Sequence, residues 1–102
     1  MKERYNAEQI SKVIDQALIY QCACPAQVGK AIFELRELFD YQINCANDSE
    51  NNALVHKTIA AAAESSHEIM EECLKQILDI EGWNQADFVM PESLKNHKFK
   101  LL

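Results

Sequence analysis

The chain of 102 residues carries 16 acidic against 10 basic side chains, a formal charge of −6, with 48% hydrophobic and 25% charged residues. That length gives one domain with a small core, for which an oligomer is the expected state. The acidity argues against a nucleic-acid backbone as partner, no apolar run reaches the roughly 20 residues that span a bilayer, and two Gly with two Pro leave room only for a few long elements.

Met1-Lys2-Glu3-Arg4-Tyr5 leads into no apolar signal core, so a cytoplasmic location is expected. In that setting the four cysteines are expected as free thiols or ligands rather than a disulfide framework. The pattern begins with helix one over 7–22, where Ile10, Val13, Ile14, Ala17, Leu18 and Gln21 recur at three- and four-residue steps behind an Asn6 N-cap. Cys22-Ala23-Cys24-Pro25 reads as a helix junction, with Pro25 at the first position of helix two and Cys24 as its cap. Helix two follows to about residue 47, with Val28, Ala31, Ile32, Leu35, Leu38, Phe39, Gln42, Ile43 and Ala46 as its apolar stripe.

Asn47-Asp48-Ser49-Glu50-Asn51-Asn52 is the clearest loop, because short polar side chains compete for backbone hydrogen bonds. Helix three then runs over 52–81 without a breaker. Its expected buried face is Val55, Ile59, Ala62, Ala63, Ser66, Met70, Cys73, Leu74, Ile77 and Ile80. Gly82 ends it as a C-cap, with Trp83 folding back over the last turn. The fold class is therefore all-α: a three-helix antiparallel bundle over 1–82 with a long third helix, expected as a dimer. Residues 83–102 form an irregular arm and tail that packs on the bundle or on a partner. Pro91 can open one short helix there, and Lys95, Lys98 and Lys100 read as a solvated end.

The short turn makes helices two and three antiparallel. With its centre near Ser49, residues whose numbers sum to about 99 lie level, and Cys24 and Cys45 are ~32 Å apart along helix two. A four-cysteine zinc site is excluded by that distance. Cys22, Cys24 and Cys73 remain together at one end as a candidate metal set, with His97 as a further ligand if the tail folds back, although Cys-x-Cys is a weak zinc spacing. A redox reading uses the same thiols: a cysteine capping a helix sits at the positive end of the dipole, which favours thiolate, and Cys22 or Cys73 could resolve an oxidised Cys24. The simpler reading of Cys22, Cys73 and Cys45 is core packing.

Glu64 and His67 form a Glu-x-x-His pair of the kind that presents two ligands from one helix in di-iron bundles, and the register brings Glu34 level with them. A homodimer could assemble two such sets around iron. On the wheel, however, Glu64 falls roughly 60° outside the stripe, and the simpler reading of His67 and His56 is a helix-flank histidine with a polar partner. No Gly-rich phosphate loop or nucleophile elbow is present, so catalysis has no support in the sequence and no cofactor is expected. An interaction module has more. Helix three, about 30 residues and ~45 Å long, outruns helix one. Phe33, Tyr41, Ile69 and Leu78, with Trp83 from the arm, widen the apolar surface beyond what one partner helix covers. Protein contact through those residues, as a homodimer or with another protein partner, is the expected mode of action.

Overall fold

A computed structural model describes residues 1–19, 23–45 and 50–95. The protein is all-α: α1 spans Ala7–Ile19, α2 Cys24–Asn44, α3 Glu50–Glu81 and a single turn, α4, Glu92–Lys95. Among the described residues there is no strand, only an isolated bridge between Asn84 and Val89. No helix among them is long and apolar enough to cross a membrane. The expected turn at Ser49, and Cys22, His97, Lys98 and Lys100, lie outside the described residues.

Local chemistry explains the helix ends. The Gln9 N–H donates to Asn6 Oδ1 at 2.8 Å while Asn6 N–H donates to Gln9 Oε1 at 2.9 Å, a reciprocal box that satisfies two backbone donors at the start of α1. At the far end of α3, Gly82 has φ +80°. Its N–H reaches Asp79 O at 3.2 Å and that of Trp83 reaches Leu78 O at 3.0 Å, the paired bonds of a Schellman ending. The α2 junction departs from expectation. Ala23 occupies the cap position with no side-chain cap bond, and Cys24 is already helical, with Pro25 in the first turn. A proline is tolerated there because first-turn N–H groups have no intrahelical acceptor to lose.

Helix α2 packs against both α1 and α3. Gln42 meets His56 and Arg36 meets His67, so α2 and α3 pass each other in opposite directions. At Gly29 an added Cβ would stand 2.9 Å from Ile14 Cγ1 and 3.0 Å from Ile10 Cγ2, which is why the helix carries a glycine where alanine would be the better helix former.

The buried faces of α2 and α3 are turned from the expected ones. On α2 the covered row is Pro25, Ala26, Gly29, Ile32, Arg36 and Gln42, while Leu38 and Ile43 are exposed. On α3 it is Ala60, Ala63, His67, Glu71, Leu74 and Leu78, while Val55 and Ile80 are exposed. Both rows are rotated by on the order of 100°, about one residue on the wheel. The reason is the same in each helix: charged or polar side chains, Arg36 on one and His67 with Glu71 on the other, occupy the middle of the seam. In α1 the four residues Ile10, Val13, Ile14 and Ala17 are buried as expected, but Leu18 is not.

After Gly82 the arm folds onto its own chain. Trp83, Phe88 and Met90 join the core, with Phe88 edge-on to Tyr5 at 5.7 Å between centroids. Polar clamps hold it against α1. Gln16 Nε2 donates to Phe88 O at 2.7 Å and its Oε1 accepts from the Met90 N–H at 2.9 Å, while Lys12 Nζ reaches Asp87 O at 2.8 Å. Phe88, at φ 57°, takes the strained left-handed conformation that closes this turn.

The large apolar side chains of the core gather where α1 and the arm lie on the pair: on α2 and α3 they are Ile32, Leu74 and Leu78 beside Ala26, and between Ile32 and Leu74 the buried apolar residues among those described are the alanines Ala60 and Ala63. The 13 residues of α1 lie beside 21 in α2 and 32 in α3, so the α2–α3 pair runs on past α1. The molecule measures 55 × 31 × 18 Å with a radius of gyration of 16.7 Å, against about 13 Å for a compact domain of this length.

Candidate functional site

Two features stand out once the helices are placed: a buried charge cluster beneath the N-terminal segment, and a bare apolar end on the α2–α3 pair. The cluster is built from α2 and α3. Arg36 Nε donates to His67 Nε2 at 2.9 Å, and its Nη2 donates to the Tyr5 carbonyl and lies 3.3 Å from Glu71 Oε2. That same carboxylate oxygen accepts the Arg4 N–H at 2.8 Å and the Tyr5 N–H at 3.1 Å. Glu71 Oε1 stands 3.6 Å from His67 Nδ1, and Glu3 Oε2 stands 3.6 Å from Arg36 Nε. Outside, Arg4 Nη1 pairs with Glu72 at 2.6 Å.

The electrostatics follow from that wiring. Arg36 is always protonated, so the nitrogen it donates to must be the acceptor of the ring, which assigns the proton to Nδ1 on the side of Glu71. His67 is 1% exposed. Burial pulls its pKa below the ordinary value; Glu71 pushes it back up and Arg36 adds to the fall. The imidazole is thus neutral near pH 7, and its Nε2 lone pair is spent on Arg36. Burial also raises the Tyr5 phenol. Beside the cluster is a cleft of about 470 Å³ lined by Lys2, Glu3, Arg4, Glu64, His67, Glu68 and Glu71. The arrangement ties the N-terminal segment to the helix pair and fixes the register of α2 on α3, a role for which buried polar groups are well suited.

The residues singled out by sequence are scattered over this frame. Cys24 is exposed in the first turn of α2, and Cys45 and Cys73 are half-buried; all three are free thiols. Cys24 stands inside the first turn of α2 rather than at its cap, which Ala23 occupies. Cys22 and His97 lie outside the described residues. Glu34 and Glu64 are exposed while His67 is buried, and no three His, Cys, Asp or Glu side chains among the described residues are grouped to hold a metal. His67 is not a flank histidine but the centre of the seam. His56 does have the polar partner expected of it, its Nδ1 lying 2.6 Å from Gln42 Oε1.

Of the expected interface residues, Tyr41 and Ile69 are exposed. Phe33 is half-buried, packed against the core with the Arg36 guanidinium 6.0 Å from its ring centre. Leu78 and Trp83 are corrected: both are buried in the core of their own chain, because the rotated seam of α3 takes in Leu78 and the Schellman ending turns Trp83 inward. Arg36, Glu71 and the Tyr5 backbone escaped the sequence reading, since hydropathy counts them as outside. The one signal for them was spacing: Arg36 sits seven residues after Gly29 and four after Ile32, and His67 with Glu71 makes an i,i+4 pair.

The bare end is the other feature. Leu38, Tyr41 and Ile43 on α2, and Leu54 and Val55 on α3, are exposed near the C-terminus of α2 and the N-terminus of α3. No family model, curated protein or solved structure matches the chain.

Proposed function

We propose that this protein is a cytoplasmic contact module: an antiparallel three-helix bundle that works by pairing with a second copy of itself rather than by catalysis. The observation that supports this most is the exposed apolar surface of an elongated molecule. Tyr41, Ile43, Leu54, Ile69 and Ile80 are 65%, 60%, 64%, 68% and 82% exposed, in a chain whose large buried apolar side chains gather where α1 and the arm lie on α2 and α3. Side chains of that size left in water on a small domain are characteristic of surfaces that meet another protein. A second copy is the simplest occupant, because it is always present at the chain's own concentration. Sedimentation of the purified protein across a wide concentration range tests the reading: a mass rising from one chain to two supports it, and a single-chain mass at every concentration refutes it.

A further inference from the structure

We infer that the N-terminal segment, residues 1–5, is a pH-sensitive strap that lifts from the α2–α3 seam when His67 takes up a proton. The inference does not depend on the self-pairing proposed above. It rests on what the strap is fastened to and on where it can turn.

Three of the strap's hydrogen bonds end on two side chains. The Arg4 and Tyr5 N–H groups donate to Glu71 Oε2 at 2.8 and 3.1 Å, and the Tyr5 carbonyl accepts from Arg36 Nη2. Arg36 is held in place for that bond by His67, whose Nε2 accepts its Nε–H at 2.9 Å. A proton on Nε2 turns that acceptor into a donor. Two cationic N–H groups then face each other across the same 2.9 Å, and the nearby Glu71 Oε2 and Tyr5 carbonyl are already taken. His67 is fixed on α3, so the longer Arg36 side chain is the one that turns away. Its Nη2 leaves the Tyr5 carbonyl as it goes, and water enters where the strap lay.

The charges around His67 set the direction. Arg36 comes from α2 and Glu71 from α3, where Glu64 and Glu68 line the same cleft; the strap itself brings Lys2, Glu3, Arg4 and the Met1 amino group. Glu71 and Glu3 favour the imidazolium, whereas burial above all, then Arg36 and the amino group, oppose it. Lys2, Glu3 and Arg4 form a wall of the cleft beside the ring. Lifting them lets water reach His67 and screen Arg36, so the open form binds the proton more tightly than the closed one.

The strap can move while the helices stay. Its turning point is Asn6, whose reciprocal bonds with Gln9 close the start of α1 without help from the cluster. Ile10, Val13, Ile14 and Ala17 keep α1 seated, and Gln16 keeps the arm on it. The Tyr5 ring, buried edge-on to Phe88, resists opening, while the half-exposed Arg4–Glu72 pair adds little.

The test follows amide exchange by NMR at Arg4 and Tyr5, and at Ile14 and Leu78 in the core, from about pH 7.5 to about pH 5.5, with rates corrected for the intrinsic pH dependence of exchange. Below about pH 6.5 the Arg4 and Tyr5 amides should lose protection about tenfold per pH unit, until the closed form is itself protonated. They should exchange faster than the core amides and ignore low urea, because a short opening segment exposes little surface. His67→Gln, which keeps an acceptor for Arg36, should abolish the pH dependence. Wild-type Arg4 and Tyr5 amides that share the rate and urea dependence of the core, or whose protection stays flat as the pH falls, overturn the inference without recourse to a variant. An unchanged slope in His67→Gln overturns it as well.

Discussion

Where α1 and the arm lie on α2 and α3, the seam between the helices buries Arg36, His67 and Glu71 under the N-terminal segment; toward the C-terminus of α2 and the N-terminus of α3, Tyr41, Ile43, Leu54 and Val55 are exposed. Both ends are made by the same two helices. What differs is the third layer. Where α1 and the arm lie on the pair, the seam can take in Arg36, His67 and Glu71, because the N-terminal segment supplies the Tyr5 carbonyl and the Arg4 and Tyr5 N–H groups that complete their bonding. Among the described residues, no buried side-chain nitrogen or oxygen lacks a partner. Beyond α1 that segment is absent, and the seam between the two helices carries the Gln42–His56 contact and the buried alanines Ala60 and Ala63 instead.

If the core end is held by that cluster, cutting it should have the largest effect. Arg36→Ala leaves the Glu71 carboxylate without its cationic partner, facing the Arg4 and Tyr5 N–H groups and His67 Nδ1, and removes the donors to His67 Nε2 and the Tyr5 carbonyl. Removing one partner of a buried pair costs about 3–5 kcal/mol, much of the ~5–15 kcal/mol of a small domain. Urea unfolding followed by circular dichroism would register this as a large fall in midpoint. A loss under about 1 kcal/mol would mean that water reaches Arg36 as freely as it reaches Tyr41. The double change Arg36→Met/Glu71→Leu should recover most of the loss, since no charge is then stranded.

The same cluster marks how far the sequence could be read. Helix ends that depend on a residue and its near neighbours were legible: Asn6 caps α1, and Gly82 closes α3 with Trp83 folded back. The all-α class was legible too, because breakers are few and periodic runs long. The phase of the buried faces was not. Hydropathy places the seam where apolar residues are densest, which on α3 is the shoulder carrying Met70 and Ile77, whereas the true centre is held by His67 and Glu71. Their burial depends on Arg36 from another helix and on backbone groups more than sixty residues away, and no local window contains that information. That the arm would pack was legible from its apolar residues, but not that it packs on its own chain, since the Gln16 amide that clamps it looks like any exposed glutamine.

Acid should separate the two ends next. Burial lowers the pKa of His67, so below the unfolded value of about 6.5 the unfolded chain binds a proton that the folded one still refuses. This contribution to stability is complete above that value and is lost as the pH falls through it, until the folded pKa is reached. The slope is at most about 1.4 kcal/mol per pH unit. His67→Gln, whose amide oxygen can accept from Arg36, should flatten the dependence between about pH 7 and pH 5.5. Urea midpoints for both proteins across that range give the difference directly. Equal slopes would assign the acid sensitivity to groups outside the cluster.

The smallest effect belongs to the N-terminal part of α3 and decides whether it is bare in solution. Leu54 is 64% exposed and Ile32 is fully buried. In dilute monomer, Leu54→Ser should change the unfolding free energy by no more than about 0.5 kcal/mol, as surface changes do, whereas the milder Ile32→Val should cost about 0.5–1.5 kcal/mol. Paired urea titrations at low protein concentration would measure both. A Leu54→Ser cost as large as that of Ile32→Val would place a packed layer over the N-terminal part of α3 in the single chain, and the apolar residues there would no longer need a second copy to cover them.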